Sequence, residues 1–397
     1  MSKIIIDYTD TYITGLNTGI QRVVRNILKN RHIIEQITGF ETVPVIFAGD
    51  LIEKEDIYKK PKIISRVRKF LAKYKSIYPI AARMYKRFAK YRPELLSYKL
   101  YARKVYPSKE DIFFIGDAFW AEEYNEDFLN LLSKTNVVLL IHDIIPITNQ
   151  DTHLDHIIKA FNAKFIDMVK NAKLILTVSN SEANIIKNFL QSKNIEKPIR
   201  AIRLGTDIKL SDKIKKPDVN MDFDNFYLMV GTIEPRKNHL LVLEAFNKIW
   251  KEDKSVPNLV IAGRFGWKYE RVSEAIYNSP FKDKKLFFLE SPSDSELEYL
   301  YQHAKALIMA SYREGFGLPL IEAMVREIPI IASDIPVFRE IASDYPTYFN
   351  PYDVNSLIDA IKSSKNLQRK KPNVKLNTWE DTARDIAIAI KEHFLSN

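Results

Sequence analysis

The chain has 397 residues, 46% of them apolar and 28% charged. That is too long for one ordinary core and fits two α/β domains of about 200 residues each. The absence of cysteine excludes disulfides, thiolate metal sites and a cysteine nucleophile, while 60 Lys and Arg against 50 Asp and Glu give a net charge of +10 that bears on partners rather than on fold.

Met1 to Asp7 predicts a strand at Ile4–Ile6 rather than a leader, because its apolar stretch is short and lacks a small-residue cleavage site. A loop from Tyr8 to Gly19, a helix from Ile20 and a strand near Val43–Phe47 follow. Between Lys59 and Lys104, sixteen Lys and Arg stand against the single acidic residue Glu94, interleaved with aromatic residues such as Tyr74, Tyr85 and Tyr98. Within it Ile80, Met84, Phe88 and Tyr91 recur at helical spacing, with Arg83, Lys86, Arg87 and Lys90 between them. That pattern suits a helix lying in an anionic membrane interface or a basic helical insertion packed on its own domain; a nucleic-acid surface rests on charge alone, and no nucleic-acid partner is expected. Further strands are expected at Ile112–Ile115, Val137–Ile141 and Leu174–Val178, and such short β-branched runs between helical patterns indicate a parallel sheet covered on both faces. No stretch reaches the ~20 apolar residues of a membrane span. Residues 211–224 are polar and aperiodic, a linker between a first domain over 1–215, with a basic aromatic insertion at about 58–106, and a second over 222–377.

The second half repeats the pattern, with strands near Tyr227–Val230, Leu259–Ala262, Leu286–Phe288, Ala306–Met309 and Ile330–Ala332. The first of these runs into Gly231-Thr232-Ile233-Glu234-Pro235-Arg236-Lys237-Asn238-His239 and then a helical pattern from Leu240 to Trp250. Arg236 and Lys237 put two fixed positive charges in that turn, and a diphosphate leaving group needs charge neutralisation as its bond breaks. The run Ala306–Met309 leads to Glu314-Gly315-Phe316-Gly317-Leu318-Pro319-Leu320-Ile321-Glu322, where Pro319 suits the first position of a helix. Unpaired amides and the macrodipole at that helix start favour an anion. Glu314 and Glu322, one on each side of the glycine loop, can each grip a pair of vicinal hydroxyls, one on a sugar ring and one on a ribose. Lys362 to Lys375 reads as a basic surface loop, and Thr378 as the N-cap of a last helix over 378–397.

These two motifs resemble the signature of the retaining glycosyltransferases of family 4, which have the GT-B fold. The resemblance extends through Pro329–Ser333 and Ile335–Ile341 to Trp379–Ala383 and covers most of residues 225–395. In the first half it runs less closely through Thr18–Asn26, His142–Ile147, Thr177–Ser179 and Leu204–Asp207, in the manner of the enzymes that build bacterial O-antigens and capsules, often with mannose. It implies two Rossmann-like domains facing across a cleft, with the last helix crossing back to the first domain. It further implies that Arg236 and Lys237 hold the diphosphate, that Glu314 contacts the transferred sugar and Glu322 the ribose, and that amides around Gly315, Phe316, Gly317 and Leu318 complete a cradle beside Gly231 and Thr232. His142 would touch the donor sugar from a strand end. Gly19 would bring a helix start to the diphosphate from the other side, although relatives often carry two glycines there; Arg22 and Arg203 are as well read as structural.

The activity implied is metal-independent transfer of a hexose, with retention, to a hydroxyl of a glycan or lipid-linked glycan. GDP-mannose is the favoured donor, UDP-sugars remain possible, and no cofactor is expected. Two other readings stay open: a nucleotide-sugar epimerase using the same cleft, and a subunit that keeps the sugar-nucleotide site while a partner catalyses. Asp222 and Asp224 spell a metal-binding pattern but lie in the linker; Asp151, His153, Asp155 and His156 lack a well-spaced zinc set; Ser179 and Ser181 lack a nucleophile elbow. The expected location is cytoplasmic, peripheral on the inner face of the plasma membrane if the basic segment 59–104 binds there.

Overall fold

The computed structural model describes residues 2–16, 18–55, 103–206, 214–364 and 367–396. The basic segment singled out above therefore lies almost wholly outside the described residues. The strands of the first half are β1 (Lys3–Asp7), β2 (Glu41–Phe47), β3 (Leu51–Glu53), β4 (Lys104–Val105), β5 (Ile112–Ile115), β6 (Asn136–Ile141), β7 (Ala172–Thr177) and β8 (Ile199–Ala201). They form one sheet in the order β4-β3-β2-β1-β5-β6-β7-β8, parallel except that β3 pairs antiparallel with both β2 and β4. Its helices are α1 (Thr9–Thr14), α2 (Gly19–Lys29), α3 (Arg31–Thr38), α4 (Glu126–Leu132), α5 (Ile145–Thr148), α6 (Asp155–Asn171) and α7 (Asn180–Gln191).

The second half builds β9 (Phe226–Val230), β10 (Asn258–Gly263), β11 (Leu286–Glu290), β12 (Ala306–Met309), β13 (Ile330–Ser333) and β14 (Thr347–Phe349). Around them stand α8 (His239–Glu252), α9 (Glu270–Tyr277), α10 (Asp294–His303), α11 (Leu318–Val325), α12 (Pro336–Ala342) and α13 (Val354–Ser363). This sheet is wholly parallel, in the order β11-β10-β9-β12-β13-β14. Its order reverses between β9 and β12, and ligands of open α/β sheets bind beyond the strand ends at such a switch point. The corresponding reversal in the first sheet lies between β1 and β5.

Central strands are apolar on both faces because helices cover both; Val137 to Ile141 and Leu259 to Ile261 are fully buried. The stretch expected as a loop after β1 contains α1, closed by Gly15 in the left-handed region (φ +57°). Six residues are too few to show a helical period. Pro319 is the second residue of α11, not the first, because Gly317 with φ +100° serves as N-cap and Leu318 starts the helix. The polar stretch from Lys362 is helical at its start, within α13.

The last helix, α14 (Trp379–Phe394), leaves the second sheet and packs on α3 of the first. It begins with a capping box in which Thr378 and Asp381 each satisfy the other's backbone N–H. Beside that cap the amide of Thr206 donates to the carbonyl of Asn377 at 3.0 Å. A Cβ on Gly205 would stand 2.1 Å from the carbonyl carbon of Thr378, so only glycine admits the passing backbone.

Candidate active site

At the second sheet's switch point the turn after β9 meets the loop after β12. Arg236 is held between Glu234 at 2.5 Å and Glu314, and donates a further hydrogen bond to the carbonyl of Arg313 at 3.0 Å. Lys237 reaches the other oxygen of Glu314 at 2.5 Å, where Ser311 also donates at 2.7 Å. The two cations are therefore not bare charges, as the sequence reading had them: buried cations must be paired, and Glu234 and Glu314 pair them. Burial would raise the Glu314 carboxyl, but the Arg236 and Lys237 charges outweigh it and hold it down at about 2. Arg236 is lowered by burial and raised more strongly by Glu234 and Glu314, so it stays charged.

The glycines shape this turn. Gly231 takes φ +144°, and the Lys237 stem passes 3.6 Å from where its Cβ would be. Thr232 lies against Gly266 of the loop after β10. Phe316 and Leu318 are core side chains, so only their backbone can face a ligand. Glu322, one turn into α11, accepts from Tyr301 of α10 at 2.8 Å and pairs with Arg22 of α2 from the other sheet. Burial opposes its ionisation, but Arg22, Tyr301 and Arg326 keep its pKa below the usual carboxylate range.

From the first sheet, His142 follows β6 and donates its Nε2–H to the Gly116 carbonyl at 2.7 Å, since a carbonyl only accepts. Burial lowers its pKa, with the Gly116 hydrogen bond and Asp143 opposing. A Cβ at Gly315 would lie 2.2 Å from the His142 carbonyl oxygen, so the Glu314 loop rests directly on the end of β6. Gly19, at the start of α2, has nothing within 4 Å of its Cβ direction. At this sheet's own switch point Asp7 accepts from Thr9 and from Tyr124 at 2.6 Å, and Asp117 accepts from the amide of Thr11 at 2.7 Å.

Several bridging residues escaped the sequence reading. Ser179 caps α7 and donates to the Gly315 carbonyl at 2.8 Å. Arg313 pairs with Glu182 at 2.6 Å, and Glu340 accepts from the amides of Asn180 and Ser181. Trp267 donates to the Thr152 carbonyl at 2.6 Å and its ring lies against His153. A Ser at a strand end and a Glu in a first helical turn signal local caps, and nothing in the chain says that a distant loop uses them. Arg203 donates to the Glu340 carbonyl and its own carbonyl accepts from Thr382, a structural tie. Asp222 forms a local turn with the amide of Asp224. Among the described residues no three His, Asp or Glu side chains converge as metal ligands.

Two parallel sheets facing each other, with charged loops meeting at their strand ends, define the GT-B glycosyltransferase fold. Sucrose-phosphate synthase from Thermosynechococcus elongatus shares it with a TM-score of 0.58 at 15% identity, over 100% of this chain and 97% of that one. Anabaena Alr3699/HepE, solved with UDP and glucose, does so with a TM-score of 0.57 at 14% identity, over 99% and 96%. Residues 211–379 match the family described as glycosyl transferases group 1. Among sequence relatives, the serotype-specific mannosyltransferase WbdA of Escherichia coli is 33% identical over 262 residues, covering 62% of this chain and 32% of that protein. The O-antigen chain mannosyltransferase RfbU of Salmonella typhimurium is 32% identical over 233 residues, covering 58% and 62%. The chain thus spans about a third of the length of WbdA and less than two thirds of RfbU.

Proposed function

We propose that the protein is a retaining hexosyltransferase that moves a hexose, mannose by preference, from a nucleotide diphosphate sugar to a hydroxyl of a glycan or lipid-linked glycan during surface polysaccharide synthesis. The observation that carries this reading is the buried Arg236–Glu314–Lys237 network at a sheet switch point, facing His142 across a backbone contact. A diphosphate offers Arg236 and Lys237 a stronger partner than the carboxylates they hold, and charge growing on the leaving group would be met by donors already in place. Glu314 would then turn an oxygen to the sugar hydroxyls, and Glu322 would take the ribose. His142 spends Nε2–H on Gly116, which leaves its other ring nitrogen to meet the sugar, and burial keeps the ring neutral at pH 7. No side chain is needed as general base if the departing phosphate accepts the acceptor's proton.

The names of the relatives support mannose, hence GDP-mannose ahead of UDP-sugars, and a glycan acceptor. A cytoplasmic position at the inner face of the membrane, through the basic segment 59–104, completes the proposal; no helix among the described residues is long and apolar enough to cross a membrane. The test is titration of the protein with GDP, UDP and their mannose, glucose and N-acetylglucosamine conjugates, with and without a chelator, beside Lys237→Ala. Selective binding that is lost in the variant and survives chelation supports the reading, and products heavier by one hexose complete it. An isomerised sugar nucleotide with no transfer would instead establish an epimerase, and binding without turnover a scaffold subunit.

A further inference from the structure

Glu322 presents two oxygens, and both are engaged: one by the Tyr301 hydroxyl at 2.8 Å, the other by the guanidinium of Arg22 reaching across from the first sheet. The two sides of this contact differ in freedom. Glu322 is pinned, with a side chain 9% exposed, and Tyr301 behind it lies under the Arg326 guanidinium, 4.9 Å from its ring centre, which Glu298 fixes in turn at 2.5 Å. Arg22 is 34% exposed on a long stem, while the backbone that carries it is anchored by Asn26 on its carbonyl at 2.9 Å and by Gln21 on Asp10 at 3.0 Å. Of the pair, the arginine is the more exposed and the longer side chain. One turn back along α2 is Gly19, whose surroundings are open.

We infer that Arg22 trades the ribose carboxylate for the diphosphate as a nucleotide enters, so that one guanidinium first guards Glu322 and then grips the donor. This rests on the function proposed above and assigns a second cation to it, from the opposite sheet. A ribose diol that grips both oxygens of Glu322 must reach the one that Arg22 covers, so diol and guanidinium compete there. A diphosphate repays the displaced guanidinium with a charge-assisted, bidentate partner. A nucleoside without phosphates pays the displacement and receives nothing back. Arg22 should therefore weaken nucleoside binding and strengthen diphosphate binding, a sign reversal that a merely structural ion pair would not produce.

The experiment is calorimetric titration of the full chain with guanosine, uridine, GDP and UDP, comparing wild type with Arg22→Gln and Arg22→Lys, with a thermal melt of each to establish folding. In Arg22→Gln the preferred nucleoside should bind on the order of tenfold tighter and its diphosphate on the order of tenfold weaker. Arg22→Lys should shift both in the same senses by less, and it carries the test if the glutamine variant does not fold. Affinities that move together, or do not move, overturn the inference while wild-type diphosphate binding leaves the proposed function standing. A wild type that binds neither diphosphate overturns both.

Discussion

The two switch points have the same topology, and each buries carboxylates at its strand ends, yet the pKa values of those carboxylates move in opposite directions. Asp7 and Asp117 take hydrogen bonds from hydroxyls and amides, and burial, with the nearby Asp10 carboxylate, pushes Asp7 up to about 6 and Asp117 well above its ordinary value even with the Arg25 charge in reach of Asp117. Glu314 is equally buried but is met by Arg236 and Lys237, and stands at about 2. Burial penalises an ion wherever it lies, and at Glu314 two cations in direct contact overcome the penalty. The first site can thus order α1 and the turn after β1 but has little to offer a phosphate. The second stores paired charge that a more strongly anionic ligand can re-pair.

Substitutions can break this contrast, and the largest effect is expected from Arg236→Gln. It leaves buried Glu234 without its cation and Glu314 with Lys237 alone, which costs about 3–5 kcal/mol of stability, and activity should fall on the order of a thousandfold; chemical denaturation and initial rates measure the two. Next is Asp7→Asn. A folded pKa of about 6 against an ordinary 3.8 means that the native state holds the proton more tightly than the unfolded chain. The penalty is therefore absent at low pH and grows as pH rises from about 4 to about 6, reaching about 3 kcal/mol. Melting curves across that window should fall less steeply in Asp7→Asn than in wild type; an unchanged slope would place the proton elsewhere in the cluster. Gly315→Ala tests whether the two ends must touch: its Cβ has no room against the His142 carbonyl, so activity should drop on the order of a hundredfold with a smaller loss of stability. The smallest effect is expected from Ser311→Ala, which removes one of the donors to Glu314 and costs about 1 kcal/mol. Rates within a few fold of wild type are expected there, because Arg236 and Lys237 still keep Glu314 ionised.

Much of this was legible in the chain. The principal parallel strands stand close to where their β-branched runs put them, and of the motif residues the structure brings Arg236, Lys237 and Glu314 into contact. What could not be read was pairing. Glu234 sits inside the first motif, yet its role depends on Arg236 folding back onto it. Arg22 and Glu322 are 300 residues apart, and an arginine on a helix face gives no sign of what it will meet. Short edge strands such as β8 and β14, and the six-residue α1, fell below the length at which a period can be seen.

The chain passes between the two sheets twice, once after β8 and once before α14, and those passages run side by side, tied by the hydrogen bond from Thr206 to Asn377 and pressed together at Gly205. Two connections fastened at one place tie the end of the first sheet's last crossing to the start of the returning helix. Parting the halves of the protein would require breaking the bridges that Arg22, Ser179, Glu182 and Trp267 make across the gap.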